Sequence, residues 1–157
     1  MSGSDALLTI AEMSIGLAGF SAVVGAFTTR GELSPADRSR FLLLFATAFL
    51  VALLAFVPIL LDDAGWAGPV LWRASSGAMV TAIAAVAGFG LLYKTHRVLG
   101  STLSGGMFMM IPISANLILQ LSNIWSASST IYIVGTLFWL YSAGLLFVSI
   151  VLERPAV

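Results

Sequence analysis

Apolar residues run along this chain in long blocks, and short polar clusters cut the blocks apart. A membrane-crossing helix needs roughly 20 mainly apolar residues. The first block runs from about Ala6 to Thr28 and is interrupted only by Glu12. The second, Phe41 to Leu61, carries no charge, and the third runs from Ala74 to Tyr93. The last charge-free region, Val98 to Leu152, is long enough for two helices, with Ser126-Ala127-Ser128-Ser129 as the turn between them. The pattern predicts helices over about 6–28, 35–61, 69–95, 107–125 and 130–152. No period-two alternation recurs, as the strands of a membrane barrel would require.

Local punctuation agrees. Ser34-Pro35-Ala36-Asp37 reads as an N-cap serine, a proline at the first helical position and an acid in the first turn. Arg30-Gly31 suits a helix C-terminus, with a cation near the last carbonyls and a glycine cap. Gly68-Pro69 opens the third helix, and Gly105-Gly106 is expected to separate the third from the fourth. The fourth helix is the least apolar, since it holds Pro112, Ser114, Asn116, Gln120 and Asn123. We read it as a crossing helix rather than a re-entrant segment, because a hairpin would put Arg154 on the wrong side.

Composition strengthens the membrane reading. Of the 157 residues, 59% are hydrophobic and 9% charged, against about 25% charged in soluble domains. Mean hydropathy is +1.04. So few charges could not cover a water-soluble surface. The expected fold is therefore all-α, a polytopic membrane bundle in a single domain, 1–157, in contact with the lipid bilayer. A multi-pass location in a bacterial-type inner or plasma membrane is expected. The N-terminus lacks the positive region of a signal peptide, so the first block is expected to be retained.

Charge placement predicts orientation. With five crossings, Arg30, Arg38, Arg40, Lys94, Arg97 and Arg154 fall on one side, and only Arg73 breaks the pattern. The positive-inside rule then puts the N-terminus outside and the C-terminus in the cytoplasm. Trp66, Trp72, Trp125 and Tyr132 would lie at the outer interface, where aromatic belts sit. The formal net charge of +0 offers no basic field for nucleic acid. With no Cys and a single His, thiolate and multi-His metal sites are excluded. No cofactor is implied and no enzymatic motif is present, neither HExxH nor GxSxG nor a phosphate loop.

Candidate chemistry centres on Glu12, a lone carboxylate within the first helix. An ionised carboxylate at membrane depth costs roughly 3 kcal/mol on insertion scales, so it ordinarily has a partner or a task. Counting about 1.5 Å per residue from the predicted helix ends brings Glu12, Arg73, Asn116, Gln120 and Thr136 to similar depths in the outer half. Asn116, Gln120 and Asn123 also recur at the i, i+4, i+7 spacing of one helix face. Two readings follow. One is an outward-facing polar cavity in which Glu12 binds a proton or small cation, giving a channel or transporter-like protein. The other is a Glu12–Arg73 ion pair with Asn and Gln as interhelical glue in a non-catalytic scaffold or accessory subunit. On helix one, Gly16, Gly19, Ser21 and Gly25 form a small-residue face suited to close packing or to a homo-oligomer contact.

The stretch Ala11-Glu12-Met13-Ser14-Ile15-Gly16 is similar to the first-helix motif of small multidrug resistance transporters. The resemblance covers that one helix. It implies proton exchange for a cationic solute at Glu12.

Overall fold

A computed structural model describes residues 3–28, 35–92 and 103–152, with side chains over 3–25, 41–88, 111–148 and 150–151. The fold is all-helical, with five helices: α1 Ser4–Thr28, α2 Pro35–Asp63, α3 Gly68–Leu92, α4 Leu103–Ser126 and α5 Ser129–Leu152. Each falls within a few residues of its predicted span. Pro35 is the first residue of α2, where a missing N–H is harmless. Gly68 opens α3 with a φ of 61°, a conformation that favours glycine. One boundary differs: Gly105 and Gly106 lie in the first turn of α4 instead of ahead of it. Two consecutive glycines weaken a helix by about 1 kcal/mol each relative to alanine, and a helix start tolerates that best. Arg30, Gly31, Ser34, Lys94, Arg97 and Arg154, on which the caps and orientation were read, lie outside the described residues, as do the side chains of Arg38 and Arg40.

Four of the helices contain stretches long and apolar enough to cross a membrane: Ser4–Gly25, Phe41–Asp63, Gly68–Gly88 and Ser129–Val148. α4, whose side chains are described only from Ile111, is not one of the four. Large apolar side chains point outward along every helix, among them Ile15 and Phe20 on α1, Leu53 and Leu60 on α2, and Ile118 on α4. A surface of that kind suits hydrocarbon rather than water. These features make the chain a multi-pass integral membrane protein.

α5 touches each of the other four helices. α1 packs chiefly on α2 and also on α5, whereas α3 and α4 pack on each other, on the other side of that pair. Side-chain contacts fix which ends meet. A Cβ at Gly3 would come within 2.8 Å of Ile133 Cδ1, and the rings of Phe20 and Phe147 lie 5.7 Å apart, so α1 and α5 run in the same direction. The rings of Trp72 and Tyr132 lie 6.0 Å apart, which brings the start of α3 to that same end. At the opposite end Phe41 of α2 packs under Gly25 of α1.

The core has two parts. One joins Leu7, Ile10, Ala11, Val51, Leu54, Ala55, Leu71, Met79 and Trp139 around Tyr132. The other, towards the far end, joins Phe41 and Leu44 of α2 to Ala143, Leu146 and Ile150 of α5. Several buried serine hydroxyls are satisfied within their own helices. Ser14 donates to the Ala11 carbonyl, Ser21 to Leu17, Ser75 to Leu71 and Ser142 to Phe138. Such back-bonding lets small polar residues sit in an apolar interface without a partner on another helix.

Candidate functional site

The polar face of α4 points inward. Asn116, Gln120 and Asn123 are all buried, as the i, i+4, i+7 spacing implies. Asn123 clamps the α4–α5 turn. Its Oδ1 accepts from the Ser128 backbone N–H at 2.7 Å and from Ser126 Oγ at 3.0 Å. Its Nδ2 donates to the Ser128 carbonyl at 3.0 Å and to Ser76 Oγ of α3 at 2.9 Å. One amide thereby serves the turn and ties it to a third helix. The clamp also holds Ala127 at a φ of 50°, which a non-glycine residue adopts only when its surroundings dictate it.

One turn deeper, Gln120 lies against the backbone of α5 at Gly135. A Cβ at Gly135 would overlap Gln120 Nε2 and Asn116 Oδ1 and sit 3.1 Å from Gln120 Cδ. Only glycine admits those two amides. Gln120 Nε2 donates to Asn116 Oδ1 and to the Ile131 carbonyl, both at 3.3 Å. Asn116 Nδ2 points to Met79 Sδ of α3 at 3.6 Å. Thr136, also buried, donates to the Tyr132 carbonyl at 3.0 Å. Among the described residues, two buried polar side-chain atoms have no hydrogen-bond partner: Gln120 Oε1 and Trp139 Nε1.

A second polar feature has an apolar origin. Pro58 lies within α2 and has no N–H to give the carbonyl four residues back, which is that of Leu54. Tyr132 Oη of α5 donates to that carbonyl at 2.5 Å. In hydrocarbon an unpartnered carbonyl costs several kcal/mol, so proline inside a membrane helix calls for such a donor. Tyr132 is therefore a capping residue of the core, and Trp72 packs beside it. Only Trp66 and Trp125 of the expected interfacial aromatics face outward.

Glu12 and Arg73 are placed elsewhere. Both are exposed on the outside of the bundle. The inward face of α1 is Leu7, Ile10, Ala11, Ser14, Ala18 and Ser21, which leaves Glu12 on the opposite side. α1 has its principal contacts with α2 and α5, not with the helices that carry Arg73, Asn116 and Gln120. Depth separates the two charges as well. Arg73 follows Trp72, which is level with Tyr132, whereas Glu12 lies nine residues beyond Gly3, which is level with Ile133. The offset along the bundle is about 14 Å at the helical rise. Of the five residues expected at one depth, the structure brings Asn116 and Gln120 together, buries Thr136 next to the Gly135 they meet, and leaves Glu12 and Arg73 apart.

The small-residue face of α1 divides in the same way. Ser21 is buried, and a Cβ at Gly25 would sit 3.1 Å from the Phe41 ring. Gly16 and Gly19 are exposed, and a Cβ on either would meet nothing within 4 Å. Glu12, Gly16 and Gly19 thus share an outward stripe in the middle of the Ser4–Gly25 span.

The interior and this stripe offer different chemistry. Among the described residues every buried polar side chain is neutral, and no group of three His, Cys, Asp or Glu is placed to hold a metal. The interior supplies amide and hydroxyl dipoles; the one carboxylate of the α1 span beyond its first turn faces out. Sequence reasoning did not single out Tyr132 as a cap or Gly135 as a seat for amides. Pro58 was the available signal for the first, and Gly135, at the start of α5 where it faces the amides of α4, for the second.

Comparison with family models, with curated proteins and with solved structures gives no match. The likeness of residues 11–16 to a transporter motif therefore stands without a family assignment.

Proposed function

We propose that this protein is a non-catalytic assembly or accessory subunit of the membrane, working as a homo-oligomer through the outer face of α1. In this reading all five helices cross the bilayer, with the N-terminus outside and the C-terminus in the cytoplasm. The supporting observation is the division of polar groups. The amides of α4 bond among themselves and to α3 and α5, while Glu12 faces out at mid-span without a partner among the described residues. A carboxylate in that position favours burial against protein. Gly16 and Gly19 beside it let another backbone approach closely.

The test uses the openness of that stripe. Gly16→Leu and Gly19→Leu add side chains where the bundle itself has none nearby, so the fold should survive. In nanodiscs, wild type should be oligomeric by native mass and both variants monomeric with unchanged helicity. A monomeric wild type would sink the reading.

A second reading, proton- or cation-coupled transport, is favoured by the same mid-span carboxylate. Liposome flux of wild type and Glu12→Gln decides it: transport requires flux in the first and its loss in the second.

A further inference from the structure

Gln120 Oε1 and Trp139 Nε1 are complementary orphans. Both Gln120 donors point at acceptors, Asn116 Oδ1 and the Ile131 carbonyl. Turning the amide over would set oxygen against oxygen, so its orientation is fixed by its partners. Oε1 is left as an acceptor with no donor. Trp139 Nε1 is donor only, on a side chain 3% exposed, and it has no acceptor.

Helix geometry brings the two needs to one region. Gln120 lies over Gly135, and Trp139 is four residues further along α5, one turn deeper on the same face. A helical side chain leans over the turn N-terminal to its own Cα, so the indole leans back towards Gly135. The amide or indole of such a pair, buried without a hydrogen bond, is costly. A guest that satisfies both must accept from the indole N–H and donate to the amide oxygen. A metal cation meets the second need and is repelled by the first; a carbonyl meets the first and not the second. A water molecule meets both. Asn116 Nδ2 retains a hydrogen beyond the one aimed at Met79, and Thr136 Oγ1 retains acceptor capacity after donating to Tyr132. Both are buried, and buried waters typically make about three hydrogen bonds.

We propose that one internal water molecule bridges Gln120 Oε1 and Trp139 Nε1 and completes the polar layer between α4 and α5. The site lies inside the bundle and is independent of what covers the outer face of α1.

The experiment is NMR of the full chain in nanodiscs with 15N-labelled tryptophan. Trp139→Phe assigns the Trp139 indole signal by its disappearance, and the exposed Trp66 and Trp125 serve as solvent-contact controls. The expected result is a hydrogen-bonded Trp139 indole proton with a cross-peak to a long-lived water, exchanging much more slowly than the controls. Gln120→Met, which removes the acceptor, should abolish that cross-peak or weaken it several-fold in whatever fraction stays folded. Two wild-type results overturn the proposal without any variant. One is an indole proton with no water cross-peak, shifted as a free N–H. The other is a hydrogen-bonded proton with no water cross-peak, which means direct pairing with Gln120.

Discussion

α4 and α1 each carry polar residues through the apolar part of the bundle, and the protein treats them in opposite ways. On α4 the amides turn inward, where an amide can both donate and accept and so be satisfied by backbone carbonyls, a turn N–H and another amide. On α1 the carboxylate turns outward, away from an interior whose described polar groups are all neutral. Ionised, Glu12 would need cationic or multiple donors, and the helices beside α1 supply neither among the described residues. In this bundle a polar residue is placed by what its chemistry can be paired with, not by its distance from the membrane surface.

The α4–α5 contact and the outer stripe of α1 should differ most at their glycines. Gly135→Leu should prevent α4 and α5 from docking and leave no cooperative unfolding transition. Gly135→Ala should cost about 2–3 kcal/mol, the upper range for overpacking. Gly16→Ala, on the open stripe of α1, should leave bundle stability unchanged or raise it by up to about 1 kcal/mol through helix propensity. Denaturant titration in detergent, followed by circular dichroism, reads all three.

Asn123→Ala comes next. It removes the turn clamp and leaves the Ser128 N–H and Ser76 Oγ without their partner, an expected loss of about 2–3 kcal/mol by the cost of orphaned groups. The same assay measures it, and a loss below about 0.5 kcal/mol would mean that the turn holds itself.

Tyr132→Phe should lose about 1–3 kcal/mol, because the Leu54 carbonyl loses its donor. Pro58→Ala restores a backbone N–H for that carbonyl, so the double variant should recover much of the loss. Additive effects in the four-way cycle would show that Tyr132 acts through packing alone.

The smallest effects belong to the charges. Glu12→Gln and Arg73→Gln should each change bundle stability by no more than about 0.5 kcal/mol, as surface substitutions do. Their coupling should be near zero, since distant sites add. Strong coupling in a double-mutant cycle would re-establish the ion pair that the geometry separates.

The helices were largely legible in the sequence, because a bilayer of fixed thickness demands apolar runs of fixed length. The inward face of α4 was legible too, since three amides at i, i+4 and i+7 cannot all point at lipid cheaply. The environment of Glu12 was not. Its depth was counted from an assumed helix end, and Arg73 from another, whereas the true levels are set by Gly3 on Ile133 and Trp72 on Tyr132. Nor does a sequence state which helices are neighbours; α1 lies beside α2 and α5, and that alone removes Glu12 from the amides. The outward-facing Gly16 and Gly19 and the packed Ser21 and Gly25 looked alike as small residues, and only the packing partner distinguishes them.

The bond from Tyr132 to Leu54 has a consequence for how the protein is made. α2 enters the bilayer early in synthesis with a carbonyl that its own proline has stripped of a donor. The donor belongs to α5, 78 residues later in the chain. Until α5 is synthesised and inserted, α2 carries an unfinished hydrogen bond into lipid. A chain truncated before Tyr132 should therefore hold α2 less firmly than one that carries α5.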